Sequence, residues 1–197
     1  AVPQIGHRQI RNRGTFGGSL AHADPSAELP LVVTLLDAEI RTRRGDQSAG
    51  YSPDAFFDGY LTTALRPDEL LTEVILPPWP AGAGWSFLEV SPRQGDFALV
   101  SAAAVVQLDS DRRISLLRLG LGGCAPAPRR IPAVEALAYG RAIDEALLNE
   151  IVEVVRASID PETDIHASAE YRRDVAGTLA RRAVKQAAAR ASTPGVR

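Results

Sequence analysis

The apolar residues of this chain fall into a continuous run, then into alternation, and finally into helical stripes. Residues 28–37, ELPLVVTLLD, follow the turn-rich DPSA and form an unbroken apolar run that suits either a buried strand or a helix. A helix is preferred, because Asp24 or Ser26 can cap its first turn and Pro30 then sits where a missing amide hydrogen costs little. Ala38–Thr42 alternates apolar and polar residues ahead of a Gly45 turn, the pattern of a half-exposed strand. YSPDAFFDGY at 51–60 predicts a loop or short helix, and LLTEVILPP at 70–78 a strand stopped by two prolines.

The stretch PPWPAGAGW at 77–85 concentrates proline and glycine, which places a domain boundary there, between residues 1–78 and 84–197. Beyond it, Trp85–Val90, Ala103–Leu108 and Ile114–Leu121 read as strands of an antiparallel sheet. After APAPRRIP the period becomes helical. Ala133–Tyr139 ends at Gly140, Asp144–Ser158 carries Leu147, Leu148, Ile151, Val154 and Val155 on one stripe, and Ser168–Arg190 carries Tyr171, Val175, Leu179 and Ala183. Strands followed by helices make an α+β layout, in which Tyr171 is expected to be a core ring.

Composition narrows the function classes. The 22 basic and 24 acidic residues leave a net charge of -2, no footprint for a nucleic-acid backbone or an anionic membrane. Cys124, the single cysteine, cannot form an internal disulfide or an all-cysteine cluster site, which points to a reducing, cytoplasmic setting. No run reaches the roughly 20 apolar residues of a membrane span. With no methionine in its 197 residues, the chain is expected to continue upstream of Ala1.

Candidate chemistry concentrates in Arg11-Asn12-Arg13-Gly14-Thr15-Phe16-Gly17-Gly18-Ser19. Paired glycines between hydroxyl residues can turn several amides toward one point through positive φ, and so cradle a phosphate; by itself such a pair is more often a plain turn. His22 would be a candidate base in an enzyme that needs one, and His7 and His166 stand without partner ligands. Cys124 reads as a small packed residue, and GLGG at 120–123 is rejected as a dinucleotide loop because prolines follow it.

The string IGHRQIRNRGTFGGSLAHADPSAELP resembles the second FAD-binding motif of the molybdenum hydroxylase flavoproteins, the family of carbon monoxide and xanthine dehydrogenases, with its T-x-G-G and A-D-P-x-x-[DE]-L-P elements. FFDGYLTTALRPDELLTEVILP, WSFLEVSPRQGDFALVSAAAVVQLD and DIHASAEYRRDVAGTLARRAVKQA resemble the segments that follow, in order. The resemblance implies the C-terminal half of a PCMH-type FAD-binding domain followed by the flavoprotein C-terminal domain. It implies a diphosphate held at Thr15, Phe16, Gly17, Gly18 and Ser19, a cofactor contact from Glu28, adenine packing on Ile5, and flavin-side contacts from Leu71 and from Leu88, where some relatives carry lysine. Asp24 reads equally as a ligand contact and as a helix cap. Arg93 and Asp96 are expected to form a turn and an ion pair near the flavin.

By the same resemblance, the chain is the FAD-carrying electron-transfer subunit of an oxidoreductase, partnered by a molybdopterin large subunit and a small subunit with two [2Fe–2S] clusters. The family's first glycine-rich motif, A-G-G-x-[TS]-x-L, is absent from this sequence. Either a further polypeptide supplies the missing half of the site or the sequence is a truncated product, and two rivals follow: an assembly-only truncated scaffold that does not hold FAD by itself, and an independent flavin oxidase or reductase.

Overall fold

The computed structural model describes residues 1–192, so the last five residues of the predicted 84–197 domain lie outside the described ones. A 3₁₀ turn (Val2–Gln4) leads into helices α1 (Arg8–Arg11), α2 (Phe16–His22) and α3 (Glu28–Leu36). The apolar run is thus a helix, but neither Asp24 nor Ser26 caps it. The N-cap is Ala27, without a side-chain bond, because Asp24 Oδ1 is already taken by the Ser26 amide (2.8 Å) in the turn ahead of the helix. Pro30 falls in the first turn as expected.

Strands β1 (Glu39–Arg44) and β2 (Gln47–Tyr51) form a hairpin around Gly45, whose φ of 57° suits glycine. Helix α4 (Pro53–Phe56) and the short pair β3 (Phe57–Gly59) and β4 (Thr62–Thr63) come next. β5 (Leu70–Ile75) then returns beside β1, giving a three-stranded antiparallel sheet ordered β2-β1-β5. Leu20, Val33, Ile40, Phe56 and Phe57 make its small core, with the two phenylalanine rings packed edge to face at 5.2 Å.

A second antiparallel sheet, ordered β6-β7-β8-β9, consists of β6 (Gly84–Val90), β7 (Val100–Leu108), β8 (Ile114–Gly122) and β9 (Arg129–Arg130). Helices α5 (Pro132–Ala138), α6 (Glu145–Ser158) and α7 (Ala169–Arg190) complete the described chain. β7 is buried on both faces, and the two-residue period of a strand sorts its side chains. Val100, Ala102, Ala104 and Val106 join the core with α6 and α7, whereas Ala103 and Val105 meet Leu31 and Leu35 of α3. The result is three layers, with α3 on one face of the sheet and the C-terminal helices on the other.

One expectation changes here. Tyr171 is 45% exposed, because the buried stripe of α7 runs one position later, through Arg172, Ala176, Leu179, Ala180, Ala183, Val184 and Ala187. The PAGAGW segment is also tightly held: a Cβ on Gly84 would lie 1.9 Å from the Ala187 carbonyl oxygen, so glycine lets β6 and α7 touch backbone to backbone. Asp37, which ends α3 at a φ of 53°, forms an ion pair with Arg118 (3.4 Å) on β8 and accepts from Arg130 on β9, tying the helix to the sheet. Among the described residues no helix is long and apolar enough to cross a membrane.

Candidate cofactor-binding site

Thr15 shapes the first part of the site. Its Oγ1 accepts from the Gly18 amide (3.0 Å), a helix N-cap in extended conformation that starts α2 at Phe16. Gly17 and Gly18 are therefore helical, and neither has a positive φ. The expected positive-φ cradle is replaced by a helix N-terminus, because the threonine cap stabilises helical geometry throughout the string. Space is short at Gly18, where a Cβ would lie 2.7 Å from Thr15 Oγ1, whereas one on Gly17 would meet Leu71 Cδ2 at a contact distance of 3.4 Å. The amides of Phe16 and Gly17 find no backbone acceptor among the described residues, while Ser19 donates to the Thr15 carbonyl (3.1 Å). First-turn amides and the helix dipole together favour an anion in this position.

The other predicted residues arrive from three directions. Leu71 on β5 lies beside Gly17. Ile5 is half-buried, and Arg11 fixes its backbone by donating to the carbonyls of Ile5 (2.8 Å) and Gly6 (2.6 Å). Ala23 ends α2 in the left-handed region (φ 54°), so the chain reverses through the Asp24 turn and sets Glu28 at the first position of α3. Burial pushes the Glu28 carboxyl above its usual range, the negative charge of Asp24 adds to this, and a backbone hydrogen bond at the helix start opposes it.

Leu88 stands apart from these residues. On β6 it packs against the core shared with α6 and α7. Its neighbours Phe87 and Glu89 take the opposite face, where Phe87 joins the α3 cluster. Glu89 was not singled out from the sequence. Burial, and then the charge of Glu28, raise its carboxyl to about 7, and its buried Oε2 has no hydrogen-bond partner among the described residues. A lone acid in the apolar strand WSFLEV was the available signal.

Arg93 and Asp96 form the expected turn, with the Asp96 amide donating to the Arg93 carbonyl (3.1 Å), but among the described residues they make no ion pair. Gly95, at a φ of 88°, instead lies against His7: a Cβ there would be 2.7 Å from the imidazole Cε1. Cys124 is fully buried, its thiol raised to about 12 by that burial, as fits a packed residue. The unpaired amides, the glycine spaces and the adjacent half-buried acids suit a ligand with a diphosphate and hydroxyl groups, as FAD is.

Comparison with known proteins identifies the family. Residues 1–79 match the FAD binding domain in molybdopterin dehydrogenase, and residues 85–187 the CO dehydrogenase flavoprotein C-terminal domain. The chain is 38% identical over 188 residues to the nicotine 6-hydroxylase medium subunit of Paenarthrobacter nicotinovorans, covering 94% of this chain and 65% of that one. It is 31% identical to the carbon monoxide dehydrogenase medium chain of Afipia carboxidovorans, covering 95% of this chain and 65% of the relative. Among solved structures it superposes on carbon monoxide dehydrogenase from Hydrogenophaga pseudoflava with a TM-score of 0.91 at 30% identity, covering 96% of this chain and 66% of that chain. The chain thus spans about two thirds of the length of these relatives. It belongs to the family of FAD-binding subunits of the molybdopterin-dependent dehydrogenases.

Proposed function

We propose that this chain binds FAD as the electron-transfer subunit of a molybdenum hydroxylase, receiving electrons from [2Fe–2S] clusters on a small subunit and passing them to an acceptor, with a molybdopterin large subunit acting on the substrate. The observation that carries the reading is the capped N-terminus of α2, where the Phe16 and Gly17 amides have no backbone acceptor and the two glycines leave room for a diphosphate. Bound FAD would supply the exchange between single-electron and paired-electron transfer.

The residues of this chain hold and orient it. Thr15, Phe16, Gly17, Gly18 and Ser19 present amides and hydroxyls to the diphosphate. Glu28 accepts from a cofactor hydroxyl, Asp24 fixes the turn that aims it, Ile5 offers an apolar surface to the adenine, and Leu71 lines the flavin side. Leu88, set among the helical core, acts through the packing of β6. The cofactor half runs over 1–78 and the flavoprotein C-terminal domain over 84–197. Thr15, Phe16 and Gly18 are exposed, which supports a further polypeptide surface closing over them in the working complex.

Gly18→Val tests the reading, since its side chain enters the space beside Thr15 Oγ1 and breaks the cap. FAD titration followed by flavin fluorescence should show binding to the unmodified chain weakened at least tenfold in the variant. Equal binding by both would remove the cradle from the account.

A further inference from the structure

Arg172 is the one charged residue that is buried among the described residues, with 7% of its surface exposed. The Ser168 hydroxyl caps α7 by accepting from the Tyr171 amide (3.1 Å), which starts the helix so that position 172 opens its buried stripe. The guanidinium spans three acceptors. Its Nη1 donates to the carbonyls of Leu99 and of Gly123 (3.1 Å), and its Nη2 to Asp164 (2.6 Å). Leu99 closes the β6–β7 loop, its amide donating to the Val90 carbonyl (2.8 Å), and Gly123 follows β8 at a φ of 73°. The two residues stand so close that a Cβ on Gly123 would lie 2.5 Å from the Leu99 carbonyl oxygen. Two carbonyl oxygens aimed at one point need a cation between them, and a planar fork that also reaches a carboxylate suits this place better than an ammonium.

The clamp reaches the cofactor side through Gly123. The Gly123 amide donates to the Pro25 carbonyl (2.9 Å), and the Asp24 turn closes through the Ser26 amide on Asp24 Oδ1 (2.8 Å) and the Ala27 amide on the Asp24 carbonyl (3.0 Å). Glu28 follows as the first residue of α3. Cavities of about 340 and 520 Å³, both lined by Ser26, Asp164 and Arg172, open beside the guanidinium, so packing alone does not hold this turn. We propose that Arg172 is a positioning residue for the cofactor site: by drawing Leu99 and Gly123 together it fixes the Pro25 turn, and with it the direction of Glu28. This inference rests on the FAD reading above and deepens it.

R172K keeps the charge but offers a single ammonium, which does not span all three acceptors. FAD is titrated, with flavin fluorescence as the readout, into the unmodified chain, R172K, E28Q, the double variant and V184A, a truncation of the same helix about 18 Å away. R172K should weaken binding about tenfold, and E28Q at least as much. The double variant should bind no more weakly than E28Q, because the clamp acts through that carboxyl. V184A should bind as the unmodified chain does. Equal affinity of R172K and the unmodified chain, or additive losses in the double variant, overturns the clamp and leaves the cofactor reading intact. An equal loss in V184A does the same, since the effect is then one of general stability. Failure of the unmodified chain to bind FAD overturns both. Amide hydrogen exchange supplies a readout independent of FAD: in R172K the Gly123 and Ala27 amides should exchange faster while those of α6 keep their protection. Unchanged exchange at Gly123, or loss of protection throughout α6 as well, overturns the proposal by itself.

Discussion

Adding one methyl group at Gly84 tests whether the second sheet and its long helix meet through backbone alone. In Gly84→Ala the new Cβ would fall 1.9 Å from the Ala187 carbonyl oxygen, 2.5 Å from the Ala191 amide nitrogen and 2.7 Å from the Arg190 carbonyl carbon. All three are backbone atoms, so no rotamer change relieves the clash. Even a tight contact requires β6 and α7 to part by about 1 Å or more, which removes dispersion contacts along the seam. Overpacking a well-filled core usually costs about 1–3 kcal/mol, and an obstacle made of backbone belongs at or above the top of that range. A loss of about 3 kcal/mol lowers the Tm of a chain of this size by roughly 6–12 °C. Gly45→Ala is the matched control, since its Cβ meets nothing within 4 Å and its expense is that of holding alanine at a φ of 57°, about 1–2 kcal/mol. Urea unfolding followed by circular dichroism reads both variants. If Gly84→Ala proves no less stable than Gly45→Ala, the close approach of β6 and α7 is not what holds the C-terminal layer.

Two further outcomes follow from burial and charge. Tyr171→Ala should cost under about 1 kcal/mol because its ring is 45% exposed, whereas Leu179→Ala, from the buried stripe, should cost about 2–5 kcal/mol; thermal melts of the pair would show a reversed order if the helix face has been misassigned. The Arg172 guanidinium, which donates to Asp164 (2.6 Å), holds that carboxyl down to about 2 from 3.8. A depressed folded value stabilises the protein above pH 3.8, and this contribution is lost as pH falls toward 2. Asp164→Asn should remove that part of the acid-unfolding profile, and an unchanged profile between pH 5 and 2 would refute the linkage.

The legible parts of the sequence are those where one period dominates. Leu147, Leu148, Ile151 and Val155 form a helical stripe that the structure buries, and ILE-rich alternation is not needed to see β8, whose register with β7 runs from Ser101↔Gly122 to Leu108↔Ile114. Tyr171 misled because α7 is lined mainly with alanine, and small residues leave the phase of a stripe to be set by the partner surface. Gly84 was hidden for another reason. Proline and glycine report loops by composition, while the demand for glycine here comes from Ala187, a residue 103 positions later in the chain. Gly17 and Gly18 were recognisable as a site, but a cap and a positive-φ turn use the same letters, and only the bond from the Gly18 amide to Thr15 Oγ1 separates them.

Helix α3 joins the candidate cofactor site to the second sheet. Its first residue, Glu28, is the acid proposed to meet the cofactor, yet its Leu31 and Leu35 pack on the second sheet, and a Cβ on Gly120 would lie 2.9 Å from Leu31 Cδ1. The turn before it is held from the same side, because the Gly123 amide donates to the Pro25 carbonyl (2.9 Å). At the far end Asp37 pairs with Arg118 and accepts from Arg130, and Arg118 donates to the Leu36 carbonyl (2.8 Å). The acid is therefore positioned by β8 and β9, elements that come after the apparent linker in the sequence. The C-terminal domain can thereby fix where Glu28 points, since a helix packed along its length moves as a rigid body.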